Sequence, residues 1–264
     1  MSFLGFGRPN VDKLRARRDI HGLVSALSSK DRDVKTEACD ALVEIGPEAV
    51  PLLSKAAAEG RTDARIAALR TLARIPSEQA FSSITAALKM PDFEVRKEAA
   101  RILGILGDAR ALEELLYVPL SEAYSFTQIG SLPDRFSQQV INAASAAAVK
   151  IGAQHFDQLL ALLRKRKVAP FAAKALGWVG DRRAVPHLVL ALKGNDEVLS
   201  ECAAEALGEL KDTASIEALI DTLSRNKNVA VAAGKALQHI TGHLELGWGQ
   251  ESEWRIWWER NRPT

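Results

Sequence analysis

The sequence predicts an all-α fold, a right-handed α-solenoid (superhelix) of about seven helix pairs, and three observations predict it. First, a pattern of apolar and alanine residues recurs down the chain. It closes, mostly on glycine or proline, at Ile45-Gly46, Ile75-Pro76, Leu106-Gly107, Ile151-Gly152, Val179-Gly180, Leu210-Lys211 and Ile240-Thr241-Gly242. The apolar members are 30, 31, 45, 28, 31 and 30 residues apart, the signature of a repeat array. Second, seven helical stretches start at Val34, Ala64, Val95, Val140, Val168, Leu199 and Val229, and four residues on each carries alanine: Ala38, Ala68, Ala99, Ala144, Ala172, Ala203 and Ala233. Third, no strand-like alternation of apolar and polar residues interrupts the pattern.

The elements follow in chain order. Residues 1–18 form an N-terminal capping segment, in which Asn10 to Arg18 reads as a short, capped, basic helix. Seven repeats then fill residues 19–242. Each opens with a first helix, as in residues 184–192 or 216–223, and passes through a polar turn such as Lys30-Asp31-Arg32-Asp33, Pro91-Asp92 or Gly194-Asn195-Asp196. Asp, Asn and Gly in such turns reverse the chain and start the second helix. Along that helix, positions 0, +4, +8 and +11 share one face. Position +8 is Leu42, Leu72, Leu103, Ala148, Leu176, Leu207 and Leu237. The alanine column lets two helix axes approach to the short end of the usual separation of about 8–10 Å. A pair exposes an apolar face that only the next pair can cover, so the pairs must stack.

The spacing of 45 marks a repeat with an insertion at about 117–136. It holds Tyr117, Tyr124, Phe126 and Phe136 together with Pro119, Gly130 and Pro133, which predicts a loop rather than a continued helix. Two readings are open: the rings fold the loop onto the neighbouring repeats, or they anchor a partner. Residues 243–264 read as a Trp-rich C-terminal cap. Trp254, Trp257 and Trp258 share one helix face and, with Trp248, account for four of the five tryptophans.

With the helix pair, the turn Asp92-Phe93-Glu94-Val95-Arg96 and the closes Ala175-Leu176-Gly177 and Ala206-Leu207-Gly208 in view, the chain resembles HEAT-repeat proteins. The period is similar to the short bacterial and archaeal type, known as phycobilisome-lyase HEAT-like repeats, over about 85% of the chain. The resemblance implies a scaffold shared by many unrelated roles. One is a bilin-lyase-like or chaperone-like helper that handles the tetrapyrrole of a bilin-carrying protein, and an enzyme of this kind would be a lyase of the phycobilin type. Deoxyhypusine hydroxylase, of similar repeats, binds its metal through His-Glu pairs. None of His21, His155, His187, His239 and His243 is followed by Glu, so no metal is expected. HEAT-like DNA glycosylases carry basic concave faces, which makes nucleic acid a further partner to weigh.

The residues themselves show no zinc spacing, no phosphate-cradling glycine loop and no nucleophile elbow, so no catalytic or cofactor-binding residue is expected. With 47% hydrophobic and 26% charged residues the chain is neither disordered nor fibrous. Its 35 Lys+Arg against 33 Asp+Glu leave a net charge of +2, which gives no general pull towards nucleic acid or an anionic membrane. No apolar stretch approaches the roughly 18 residues of a membrane span, and Met1 to Pro9 lacks the apolar run of a secretory signal. Cys39 and Cys202 suit a reducing compartment, so a cytoplasmic protein is expected.

The outward strip of the second helices is the candidate site. Taking +2, +6 and +9 as pointing away, with +1 and +10 flanking, the strip carries Lys35, Arg65, Arg70, Arg96, Lys97 and Arg101 early. Later it carries Lys174 and Trp178, then Glu201, Glu205 and Glu209. A strip basic at one end and acidic at the other is either a solvated face or a groove that selects a partner of matching charge. A non-catalytic protein–protein interaction module, an adaptor or scaffold binding a partner protein along its concave face, is the function expected, with Tyr117, Tyr124 and Phe126 of the insertion as added anchors.

Overall fold

The computed structural model describes residues 10–127 and 135–262, with the side chains of 120–127 and Phe136 outside the description. Among the described residues there are sixteen α-helices and no strand, so the chain is an all-α solenoid. Helix α1 (Val11–Ala16) leads into α2 (Ile20–Ala26) with α3 (Arg32–Ile45), α4 (Val50–Glu59) with α5 (Thr62–Leu72), and α6 (Glu78–Ala87) with α7 (Phe93–Leu106). Then come α8 (Leu112–Thr127) with α9 (Arg135–Gln154), α10 (Phe156–Ala161) with α11 (Ala169–Val179), and α12 (Val185–Leu192) with α13 (Glu197–Leu210). The chain closes with α14 (Ile216–Asp221), α15 (Lys227–Thr241) and α16 (Glu251–Asn261).

Side-chain caps explain where the second helices begin. The carboxylate of Asp31 accepts from the amides of Asp33 and Val34, Asp196 from that of Leu199, and the amide oxygen of Asn226 from that of Val229. Each satisfies backbone donors that a helix start leaves unpaired. A second device closes the repeats. Gly107, Gly180 and Lys211 adopt positive φ, and the aspartate that follows each (Asp108, Asp181, Asp212) accepts from the amide two residues on at 2.9 Å. Lys211, at φ 49°, therefore occupies the left-handed position that glycine holds in the other two.

The chain folds as two compact units. The first comprises Met1–Leu106 with Ser131–Ala144, the second Gly107–Gly130 with Ser145–Thr264. In the first, α3, α5 and α7 stack as one layer, α2, α4 and α6 form the other, and α1 packs on α2 and α3. In the second, α11, α13 and α15 form the corresponding layer, α12 and α14 pair with α13 and α15, and α16 lies against α14.

The core follows the periodicity. All seven alanines at +4 and all seven residues at +8 are completely buried. Position +11 is less uniform: Ile75, Ile151 and Leu210 are buried, whereas Leu106 is exposed. It lies in the last turn, where cover depends on how the following connection leaves the helix.

Two expectations need correction. The segment from Tyr117 to Thr127 is not a loop but the continuation of α8, with Pro119 inside the helix. The buried Leu115, Leu116 and Val118 carry the helical period up to the proline, whose cost is one backbone hydrogen bond and a local clash. Position +9 does not point away either. Gly177 and Gly208 are buried, and an added Cβ would come within 2.8 Å of the Ala206 Cα and 3.0 Å of the Ala236 Cα, respectively. These glycines face the next repeat and let α11, α13 and α15 touch almost backbone to backbone.

At the C-terminus Trp254 is wholly buried, and its indole N–H donates to the Gly247 carbonyl at 3.0 Å. Trp257 meets it edge-on with ring centres 5.8 Å apart, and His243 stacks on Trp257. Arg255 on α16 bonds Asp221 on α14 at 2.9 Å.

Candidate functional site

With core positions inward and +9 against the next repeat, each second helix offers solvent two rows of side chains, at +6 and +10. In the first unit these rows and their neighbours are tied together by charge. Arg74 donates to Asp40 at 2.7 Å, from one repeat to the one before it. Arg70 on α5 donates to Glu98 on α7 at 2.7 Å, and Arg101 grips the same carboxylate through two bonds of 2.6 and 2.9 Å. Burial alone would raise the pKa of Glu98, but the bonds from Arg101 and Arg70 outweigh it and hold the carboxyl below its ordinary value of 4.5.

A depressed carboxylate pKa contributes stability that is present above the unfolded value and lost as pH falls through the folded one. The first unit should therefore lose stability as pH drops below 4.5. Thermal melts followed by circular dichroism from about pH 6 to 3 check this, and Glu98→Gln should flatten the acid limb by removing the group that titrates. An unchanged acid limb in the variant would assign the loss elsewhere.

The early basic side chains thus serve the fold more than an open groove. Arg96 donates to the carbonyls of Met90 and Pro91, holding the turn that precedes its own helix. Lys97 pairs with Glu94 at 2.7 Å, bonds Gln139 and lies over the Phe93 ring. Lys35 and Arg65 are half-buried. Within the expected basic end of the strip, Arg70 and Arg101 are paired with Glu98 and Lys97 with Glu94.

The second unit differs. Its +6 row is Lys174, Glu205 and Lys235, and its +10 row is Trp178, Glu209 and His239. Lys174 and Glu205 pair at 2.7 Å between adjacent repeats. Burial alone would lower the Lys174 pKa, but the bond to Glu205 turns the net shift upward. Glu201 is half-buried one turn away. Trp178 is 54% exposed. All six side chains of the two rows border an open pocket of about 230 Å³ floored by Ala206, Gly208, Ala232 and Ala236. The floor is shallow because the residues that bring the helices together are glycine and alanine, which leave the rings and charges standing as its walls.

Of the residues expected from sequence, the structure thus brings Lys174, Trp178 and Glu205 together at this pocket and places Arg70 and Arg101 on Glu98. Tyr117 is half-buried on α8, and the side chains of Tyr124 and Phe126 lie outside the described residues. Glu209, expected on the strip, also borders the pocket; Lys235 and His239 were missed, although the +6 and +10 spacing that gives Lys174 and Trp178 also gives them. The buried Cys202 thiol beneath this face has its pKa pushed up to about 11 by burial, so it is a poor nucleophile at neutral pH. Among the described residues, no three His, Cys, Asp or Glu side chains are grouped to hold a metal ion, and no helix is long and apolar enough to cross a membrane.

A family model for HEAT repeats matches residues 50–123 and 141–241. No curated protein sequence matches the chain. Among solved structures, the chain is similar to the complex of CpcE and CpcF of phycocyanin lyase from Nostoc sp., with 22% identity over 90% of this chain and 93% of that one and a TM-score of 0.38. It is also similar to human deoxyhypusine hydroxylase, with 18% identity, coverage of 88% and 99%, and a TM-score of 0.34. A designed armadillo repeat protein shows 20% identity, coverage of 83% and 98%, and a TM-score of 0.34.

Proposed function

Since the chain belongs to the HEAT-repeat family, we propose that it is a non-catalytic protein–protein interaction module, an adaptor or scaffold that receives a partner protein on the face carried by its second helices. One observation carries this reading: Trp178, largely exposed, stands beside a pocket walled by Lys174, Glu205, Glu209, Lys235 and His239. An aromatic anchor within a polar rim is the arrangement that concentrates binding energy at protein interfaces. The pocket, at about 230 Å³, falls below the roughly 300–1,000 Å³ of enclosed small-molecule sites. It suits one or two side chains of a partner better than a tetrapyrrole. We read the protein as cytoplasmic, in keeping with its two free thiols, Cys39 and Cys202.

The experiment is differential capture. A partner recovered on the immobilised wild-type protein should fall tenfold or more with Trp178→Ala, a loss of at least about 1.4 kcal/mol in binding, and remain with the exposed-site control Arg61→Ala. Equal recovery by all three would overturn the assignment of this face. Mixing the protein with a free bilin tests the lyase-like alternative: a shifted visible spectrum would favour it, and an unshifted one leaves the interaction reading in place.

A further inference from the structure

The first-helix side of the second unit carries a feature that the pocket at Trp178 does not explain. Between α10 and α12 runs an open groove of about 450 Å³, lined by Leu160, Leu163, Leu190 and Leu199 and edged by Arg164 and His187. Leu190 is 70% exposed, and Val198, beside Leu199, is 59% exposed. Large aliphatic side chains held this open on one side of a helix layer are uncommon unless something covers them.

The densest basic run of the chain, which starts three residues past the end of α10, begins at the edge of the groove with Arg164. Arg164, Lys165, Arg166 and Lys167 are all exposed. Lys165 is committed to Glu113, while Arg164, Arg166 and Lys167 make no ion pair among the described residues. Asp157, on the groove wall, is the acidic exception. Arg164 at the edge of the aliphatic floor, with exposed Arg166 and Lys167 following it in the chain, defines the chemistry that would complement the groove: apolar side chains on one face and carboxylates at its basic end. Nucleic acid would use the cations but has no use for the leucines, so the combination favours a peptide.

We propose that this groove docks an acidic amphipathic helix of a partner protein, its apolar residues at i, i+3, i+4 and i+7 resting on Leu160, Leu163 and Leu190 and its carboxylates meeting Arg164 at the groove edge and the basic run, Arg166 and Lys167, that continues from it. Helix-in-groove docking supplies the apolar contact. The flanking charges set orientation and speed the encounter. The site is separate from the face at Trp178, and each stands or falls without the other.

Fluorescence anisotropy of the full chain tests it, using as probe a labelled 18-residue helical peptide with leucine at the apolar positions and glutamate beside them. Binding should be saturable and should weaken at least tenfold with Leu190→Asp, with Arg166→Glu, and when the leucines of the probe are replaced by alanine. Both protein variants alter exposed side chains, and unchanged circular dichroism verifies their fold. Trp178→Ala should leave the affinity unchanged, which separates this site from the other. Three results would overturn the proposal: no binding of the probe, binding indifferent to Leu190→Asp, or a labelled duplex DNA that binds more tightly than the peptide with an affinity insensitive to that substitution.

Discussion

Replacing Trp254 by alanine should remove about 3–5 kcal/mol of stability from the C-terminal end of the protein, the usual cost of emptying a large, fully buried aromatic site. Trp254 has no exposed surface, and its N–H bonds the Gly247 carbonyl. Truncation would open a cavity, leave that carbonyl without its donor and remove the ring that Trp257 and His243 pack against. Solenoids are held by contacts between neighbours, so the damage should stay local. Hydrogen exchange should show lost protection in α14, α15 and α16 and unchanged protection in the first unit. Trp254→Phe, which keeps a ring but not the donor, should recover more than half of the loss. Unaltered exchange in α14–α16 of the alanine variant would show that the buried ring does not hold this end together.

Gly177→Val should be the second large effect, about 3 kcal/mol of destabilisation by overpacking. The cause lies in what the new side chain would meet. The Cβ alone would stand 2.8 Å from the Ala206 Cα and 2.9 Å from its Cβ, and backbone cannot swing aside as a long side chain can. Replacing glycine within a helix ordinarily gains up to about 1 kcal/mol in propensity, so a net loss would isolate the steric term. Gly249→Ala is the control, since nothing lies within 4 Å of its added Cβ. Urea unfolding measures both. The valine variant should also weaken partner capture, because prying α11 from α13 would separate Lys174 from Glu205 and displace Trp178. Equal midpoints for wild type and Gly177→Val would mean that the close approach is not required.

Much of the fold was legible in the sequence because its controlling interactions are local in period. The alanine at +4 and the leucine at +8 recur with each repeat, and every one of them is completely buried. The helix starts were legible for the same reason, as the capping Asp31, Asp196 and Asn226 sit in the turns. What escaped was whatever depends on residues one repeat away. Nothing near Arg70 in sequence reveals that Glu98, 28 positions on, neutralises it, so the first unit read as a basic strip. Gly177 and Gly208 at +9 read as outward-facing because helical periodicity distinguishes the core side but not the two flanks against neighbouring repeats. The insertion was misread because proline signals a break, while the buried Leu115, Leu116 and Val118 lead the helix into Pro119 and it runs on to Thr127. At the candidate site, Trp178 stood out as an aromatic in a chain poor in aromatics; Lys235 and His239 look like ordinary surface residues until the stacking sets them beside it.

The glycine and alanine contacts also fix a register. Helices in such close contact are separated by about 8 Å, the short end of the packing range, so Lys174, Glu205 and Lys235 mark nearly equal steps along the second unit. A chain laid across them in polyproline II conformation turns once every three residues and advances about 9.3 Å per turn. A β-strand returns a side chain to the same face every two residues, or about 6.6–6.8 Å. Over two repeats, about 16 Å, the polyproline chain runs ahead of the row and the strand falls behind it by nearly the same distance, roughly 2.5 Å, so a bound segment keeps step only by deviating from either ideal geometry. By drawing the helix axes together, glycines that reach no partner themselves set the interval at which this face can be read.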